Sequence, residues 1–324
     1  MDGPGGVTGR TLSVMRPGLL TSVQDLGRWG HQAAGVPVAG AMDTYSLRLA
    51  NGLVGNAGTA AALEVTLAGP TLCADAPLVI AVAGAVFDLE VGDRLAPHGV
   101  AIDVPAGGVV RLGGRRTGTR AYLAVAGGFD TPPVLGSRST HLISAMGGVA
   151  GRALVAGDVL PIGEATTAPR GRALRGPILR DANSEPPCLR VLLGPQDEWF
   201  TPAALDALLG ASFRVSPRSD RMGFRLDGPA LAMRRAGELV SEPVAFGAIQ
   251  VPADGAPILL MADRQTAGGY PKIATIITAD LPLAGQLAPG DTVRFAACTR
   301  AEARSALIAR ERELLRALPE GARI

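Results

Sequence analysis

Six side chains able to bind, orient or protonate a polar substrate crowd into one stretch: Asp263, Arg264, Gln265, Thr266, Tyr270 and Lys272. They lie in ILLMADRQTAGGYPKIATII (258–277), between two apolar runs, with Gln250 just upstream in AIQVP. Apolar runs build scaffold, and a polar island between them is where chemistry is usually held. Gly268 and Gly269 let the chain turn sharply and present backbone N–H groups to an anion. Lys272 is the only lysine; every other basic side chain is arginine. An ammonium serves as a point-charge donor where the planar fork of arginine does not fit. The alternative is that one lysine survived an arginine-biased genome by chance.

Three further islands have the right residue types. Leu19 to Asn56 holds Gln24, Asp25, Arg28, Asp43 and Asn51 among Gly27, Gly30, Gly35 and Gly40. Its glycines either admit a ligand close to the backbone or make turns, and Asp25 with Arg28 reads equally well as a structural ion pair. GSRST (136–140) offers Ser137 and Ser139 beside an arginine, which suits a carboxylate or phosphate but also suits a solvated turn. SPRSDRMGFRL (216–226) brings Ser219, Asp220 and Arg221 together, as a binding element or as a solvated face.

Several chemistries are excluded. Lys272 follows proline and precedes isoleucine, so there is no Walker A loop. No Gly-x-Gly-x-x-Gly opens a helix after a strand, and no Gly-x-Ser-x-Gly elbow occurs. His31, His98 and His141 stand apart, and Cys73, Cys188 and Cys298 are odd in number and lack a CxxC. That spacing argues against zinc and against a disulfide framework. Schiff-base chemistry or covalent biotin would have to use Lys272, whose Tyr-Pro-Lys-Ile setting lacks the Met-Lys-Met context of biotin carriers; no covalent biotin is expected on this chain.

The elements that must position these residues read as mainly β. With 324 residues, 47% hydrophobic and only 4% aromatic, the core must be built from Val, Leu, Ile and Ala. Short apolar runs recur between Gly/Pro turns at 63–72, 77–93, 109–113, 120–128, 189–195, 257–262 and 291–297. Such texture suggests barrels or sandwiches. A Gly-Asp turn ahead of an apolar run repeats at Gly92-Asp93, Gly157-Asp158 and Gly290-Asp291, which points to two similar domains. Three helices are expected: Asp43 to Val54 with Asp43 as N-cap, Thr201 to Leu209 opening with Pro202, and Thr299 to Leu318. The last has a Thr299/Glu302 capping box and an apolar packing stripe of Leu307, Ile308, Leu314, Leu315 and Leu318. The proline-rich stretch 166–187 reads as a connection. The expected organisation is therefore 11–165, a connection over 166–187, a second domain over 188–298 and a C-terminal helix over 299–324. A net charge of +2 without a basic block argues against nucleic acid. No run is long enough to span a bilayer, and the first ten residues lack a signal-peptide core, so no membrane association and a cytoplasmic location are expected.

The islands also carry a resemblance. TSVQDLGRWG, GVPVAGAMDTYSLRLANGLVGN, LEVTLAGPTL, YLAVAGGFDTPPVLGSRST, SDRMGFRLDG and GAIQVPADGAPILLMADRQTAGGYPKIATIITADL resemble successive signatures of the biotin-dependent carboxyltransferase family, also called KipA-like or allophanate hydrolase subunit 2 proteins. The likeness runs from about Thr11 to Phe295. It implies two cyclophilin-like β-barrel subdomains with few short helices. It also implies the role of the C component in an ATP-dependent 5-oxoprolinase, with a KipI-like subunit and a LamB/YcsF-type subunit as partners and a small amide or lactam as substrate. ATP with Mg²⁺ would be shared with, or bound by, a partner. Carboxyl transfer from biotin to a urea-like amide, and a KipA-type regulator that binds a kinase inhibitor, are the other activities the family implies. Lactam opening builds charge on phosphoryl and carbonyl oxygens, so cationic donors matter more than a nucleophile. Arg28, Arg264 and Lys272, with Arg221, are the expected donors. Asp25 and Asp263 are expected to orient those cations or to hold Mg²⁺. Gln24, Asp43, Asn51, Ser137, Ser139, Ser219, Asp220, Gln250, Gln265, Thr266 and Tyr270 are the expected substrate or nucleotide contacts.

Overall fold

Runs of Val, Leu, Ile and Ala bounded by Gly, Pro and Asp form short strands, as their β-propensity and punctuation predict. The computed structural model describes residues 9–165, 172–175, 186–235 and 239–322. The expected connection over 166–187 lies outside the described residues except at 172–175 and 186–187. The chain divides into two units. Met1–Gly27, Thr44–Leu179 and Arg316–Ile324 form the first; Arg28–Asp43 and Arg180–Leu315 form the second. The protein is mainly β, as expected.

The first unit contains β1 (Thr11–Arg16), β2 (Leu20–Gln24), β3 (Ala62–Thr66), β4 (Thr71–Ala74), β5 (Leu78–Val91), β6 (Arg94–Leu95), β7 (Ile102–Val104), β8 (Val109–Val125) and β9 (Val159–Pro161). They make one nine-stranded sheet with the path β2-β3-β8-β4-β1-β9, while β5 pairs with β6, β7 and β8. The β5–β8 register shifts repeatedly between Gly84 and Leu89. Such bulges bend a strand and increase its twist, so the sheet curls into a half-barrel. At Gly84 (φ 91°) a side chain would meet the Arg120 carbonyl oxygen. β3 is buried along its whole length because both its faces are covered. Leu63 and Val65 join the apolar core with Val23, Ile80 and Leu123. Successive side chains alternate faces, and helix α1 (Thr44–Leu53) packs against β3, β5 and β8. The intervening Glu64 accepts a hydrogen bond from the Tyr122 hydroxyl at 2.6 Å, and both are buried.

The second unit contains β10 (Cys188–Leu193), β11 (Phe213–Val215), β12 (Gly223–Asp227), β13 (Glu242–Pro243), β14 (Ala248–Gln250), β15 (Ile258–Leu260), β16 (Ala267–Gly268), β17 (Lys272–Ile276) and β18 (Thr292–Ala297). Seven of them close into a barrel in the order β10-β17-β14-β15-β12-β11-β18, which leaves no free sheet edge. Val191, Phe213, Val215, Phe224, Ile249, Leu259 and Phe295 belong to its core, with Phe213 and Phe295 rings tilted at 54° and 5.8 Å apart. β13 and β16 pair with each other off the barrel, as a short two-stranded arch.

The helices begin where local sequence says they should. The first spans Thr44–Leu53 within the expected 43–54. α2 (Pro202–Gly210) starts after Thr201, whose side chain accepts the Ala204 N–H at 3.1 Å. Between these and the C-terminal helix lies a four-residue α3 (Leu281–Ala284). α4 (Arg300–Ala317) opens on the expected capping box: the Thr299 N–H donates to Glu302 at 2.7 Å, and the Glu302 N–H donates to Thr299 Oγ1 at 3.2 Å. Its apolar stripe is narrower than expected. Leu314 and Leu318 are buried, but Ile308 and Leu315 are exposed. At 100° per residue, Ile308 and Leu315 share a side rotated away from Leu307 and Leu314. The Gly-Asp turn takes the same form in each unit. Gly157 and Gly290 have φ 91° and 95°. Asp158 accepts the Val155 N–H and Asp291 the Ala288 N–H, each at 2.8 Å. Among the described residues no helix is long and apolar enough to cross a membrane.

Candidate functional site

The polar island is the connection from β15 to β17, and it carries β16 on the way. Asp263 lies three residues beyond β15 and is buried. Its two oxygens accept Arg221 Nε and Nη2, each at 3.0 Å, in a bidentate pair. Arg221 also donates to the Gly40 carbonyl at 2.6 Å, tying the 28–43 segment to the barrel of the same unit. The pair is 4% and 2% exposed, so Asp263 is committed to orienting Arg221.

Arg264 differs. Its Nε and Nη1 make only long bonds, to the Val244 carbonyl at 3.3 Å and the Met261 carbonyl at 3.4 Å. The guanidinium lies 5.4 Å from the centre of the Phe246 ring. Burial pushes its pKa down to about 10, and the charge of Asp263 opposes that only in part. It therefore remains a cation at neutral pH, desolvated and without a carboxylate in hydrogen-bond contact among the described residues. Such a group gains most when an anionic ligand arrives.

Lys272 starts β17 opposite Gln250, where a register shift at Ile249/Gln250 breaks the regular ladder. A bulge at that point re-aims side chains. The lysine is 5% exposed, and its Nζ donates to Glu242 at 2.5 Å. Gln196 joins them: its Oε1 accepts the Lys272 backbone N–H at 3.1 Å and its Nε2 donates to Glu242 at 2.6 Å. The Glu242 carboxyl is held below the usual carboxylate range, chiefly by the Lys272 hydrogen bond. Gln250, 1% exposed, accepts from Gln265 Nε2 at 3.3 Å and donates to the Tyr270 carbonyl at 3.4 Å. Gly268 lies against both glutamine amides, so a side chain there would collide with Gln250. The Thr266 carbonyl accepts from Val244 at 3.1 Å, holding the arch, and the Tyr270 side chain is half exposed. Gln196 and Glu242 are not among the sequence candidates. Neither sits in a local motif: Gln196 meets Lys272 through the β10–β17 pairing of the barrel, and Glu242 through the β13–β16 arch.

The first unit makes a separate cluster. Asp25 accepts from Ser139 Oγ at 2.5 Å, from Ser137 Oγ and the Arg138 N–H at 2.6 Å, and from the Gly27 N–H at 2.8 Å. Two islands 112–114 residues apart thus meet at one carboxylate, which pins the 136–140 loop. Gln24 donates to Ser22 and to the Thr140 carbonyl, while its buried Oε1 has no hydrogen-bond partner among the described residues. Asn51 is committed to the α1 exit, donating to the Ala60 carbonyl at 2.8 Å and accepting from Asn56 at 3.0 Å.

The remaining candidates sit in the second unit and have other partners. Asp43 accepts from Gln286 at 2.7 Å, and Arg28 is buried with its N–H on the Val38 carbonyl at 2.9 Å. Asp220 and Ser219 close a local turn: Asp220 accepts the Met222 N–H at 2.8 Å, and Ser219 accepts the Arg225 N–H at 3.1 Å. Asp25 spends its oxygens on Ser137, Ser139 and the Gly27 and Arg138 N–H groups, and Asp263 on Arg221, which leaves both poorly suited to Mg²⁺.

A family model described as carboxyltransferase domain, subdomain A and B, matches residues 34–297. The chain is 39% identical to the 5-oxoprolinase C subunit of Escherichia coli, over 90% of this chain and 93% of that protein. It is 37% identical to the corresponding 5-oxoprolinase C subunit of Haemophilus influenzae, over 87% of this chain and 89% of that protein. It is also similar to the solved structure of Kluyveromyces lactis urea carboxylase, with a TM-score of 0.89 and 32% identity over 97% of this chain. This chain spans only 30% of that structure and 20% of the K. lactis urea amidolyase structure, whose TM-score is 0.88. The half-barrel sheet, the closed barrel and the matched residues together assign the chain to the carboxyltransferase subdomain A and B family.

Proposed function

We propose that this chain is the C-type component of an ATP-dependent 5-oxoprolinase, contributing cationic donors to lactam opening. The carrying observation is similarity. The chain is 39% and 37% identical to two bacterial 5-oxoprolinase C subunits, against 31% and 32% for the urea-processing structures. The barrel site supports the chemistry. Among the described residues Arg264 is a desolvated cation without a carboxylate in hydrogen-bond contact, and Lys272 is a second buried donor whose partner Glu242 is partly exposed. Phosphorylating a lactam carbonyl spreads negative charge over several oxygens, and preorganised cations stabilise that charge most where water is excluded. Asp263 serves by orienting Arg221, and Asp25 by holding the 136–140 loop. ATP and its Mg²⁺ belong on the partners, one KipI-like and the other of LamB/YcsF type. The chain alone is then inactive.

Biotin-dependent carboxyl transfer to a urea-like amide is the second reading, favoured by the family description and the urea carboxylase likeness. One reconstitution separates the two. The chain is co-purified with its companion subunits and assayed for ATP hydrolysis with 5-oxoproline, and in parallel for bicarbonate-dependent carboxylation of urea with a biotin donor. The first reading expects glutamate from 5-oxoproline only when all subunits are present. Carboxylated urea without lactam opening would replace it with the second.

A further inference from the structure

Two buried donors converge on a single oxygen. Lys272 Nζ and Gln196 Nε2 both donate to Glu242 Oε1, at 2.5 and 2.6 Å. Lys272 and Gln196 are 5% and 7% exposed, whereas the Glu242 side chain is 37% exposed. The orientation of Gln196 is dictated: its Oε1 is taken by the Lys272 backbone N–H, so its amide nitrogen must face Glu242. The donors belong to the barrel side, on β17 and on the turn after β10. The acceptor belongs to β13, a two-residue strand of the arch. A brace needs only an ion pair. A buried ammonium beside an amide whose direction is fixed by backbone is the donor set that receives an oxyanion.

We infer that Lys272 and Gln196 form a subsite for a small oxyanion, a carboxylate or a phosphate group, which the Glu242 carboxylate occupies as an internal competitor until the ligand displaces it. The inference rests on reading Lys272 as an anion donor, but it is tested by binding and not by turnover. Glu242 supplies on one short strand what a ligand must supply on arrival: one oxygen with two donors. Its release costs little chain reorganisation, since the carboxylate already borders solvent.

Because Lys272 is the only lysine, ε-¹⁵N-lysine labelling gives one side-chain ammonium signal. The parent chain and Glu242→Gln are each titrated with inorganic phosphate and, separately, with 5-oxoproline at constant ionic strength. Removing the competing carboxylate is expected to tighten binding about tenfold or more, the worth of one charge-assisted hydrogen bond. The signal should move in both proteins, earlier in Glu242→Gln, and Gln196→Ala should weaken the response. The tighter of the two anions tells phosphoryl from carboxylate recognition. A signal that neither anion moves in the parent overturns the inference, even if Glu242→Gln fails to fold. So does a folded Glu242→Gln that binds no more tightly. Failed binding with intact lactam turnover would remove this subsite alone, whereas anion binding without turnover would remove the enzymatic reading alone.

Discussion

Arg264 and Asp263 are neighbours in sequence with opposite fates. Asp263 is satisfied by Arg221, and deleting its carboxyl would leave a buried guanidinium uncompensated. Asp263→Ala should therefore cost about 3–5 kcal/mol in urea denaturation, and adding Arg221→Met should recover much of the loss. Arg264 instead is held in a desolvated place by two long bonds. Arg264→Met should raise the melting temperature by a few degrees, about 1–2 kcal/mol, while raising the KM for 5-oxoproline at least tenfold. A variant that loses stability together with affinity would show that Arg264 is structural. At this scale the sequence reveals residue types but not partners. The 263–272 island is visible as chemistry, yet nothing local says that Asp263 belongs to Arg221 or that Lys272 belongs to Glu242 and Gln196. Those pairings depend on barrel register across 42 and 76 residues and on the β13–β16 arch across 30.

Elements with local causes are legible in the sequence, and elements with distant causes are not. The Thr201 cap and the Thr299/Glu302 box act within one turn, so both helix starts can be read directly. The loop at 136–140 cannot, because its anchor is Asp25, on the other side of the first unit's sequence. Asp25→Asn removes charge from four hydrogen bonds at once. It should cost roughly 2–3 kcal/mol and increase amide exchange at Arg138 and Ser139 specifically; unchanged protection there would mean the loop stands without the carboxylate. The Gly157-Asp158 turn gives a pH test. Arg152 holds the Asp158 carboxyl below the usual carboxylate range. A lowered folded pKa contributes stability that is present above the ordinary value and lost as pH falls through the lowered one. Melting temperature should thus fall as pH drops below about 4, and Asp158→Asn should flatten that limb.

For the whole chain, the β reading rests on apolar runs and turns, and it holds in both units. Closure of the second barrel and curling of the first sheet depend on bulges that composition does not show. The family assignment places the chain among carboxyltransferase subdomains, and the proposed reaction makes Lys272, paired with Glu242, one of its cationic donors. Lys272→Arg retains the charge and changes its geometry. The most direct measurement is 5-oxoproline-dependent ATP hydrolysis by the complex reconstituted with its companion subunits, parent against Lys272→Arg, with co-purification monitored in both. The account predicts that the parent complex turns over, that this chain alone does not, and that Lys272→Arg assembles normally but loses turnover by about a hundredfold or more. Undiminished hydrolysis by the Lys272→Arg complex would contradict it.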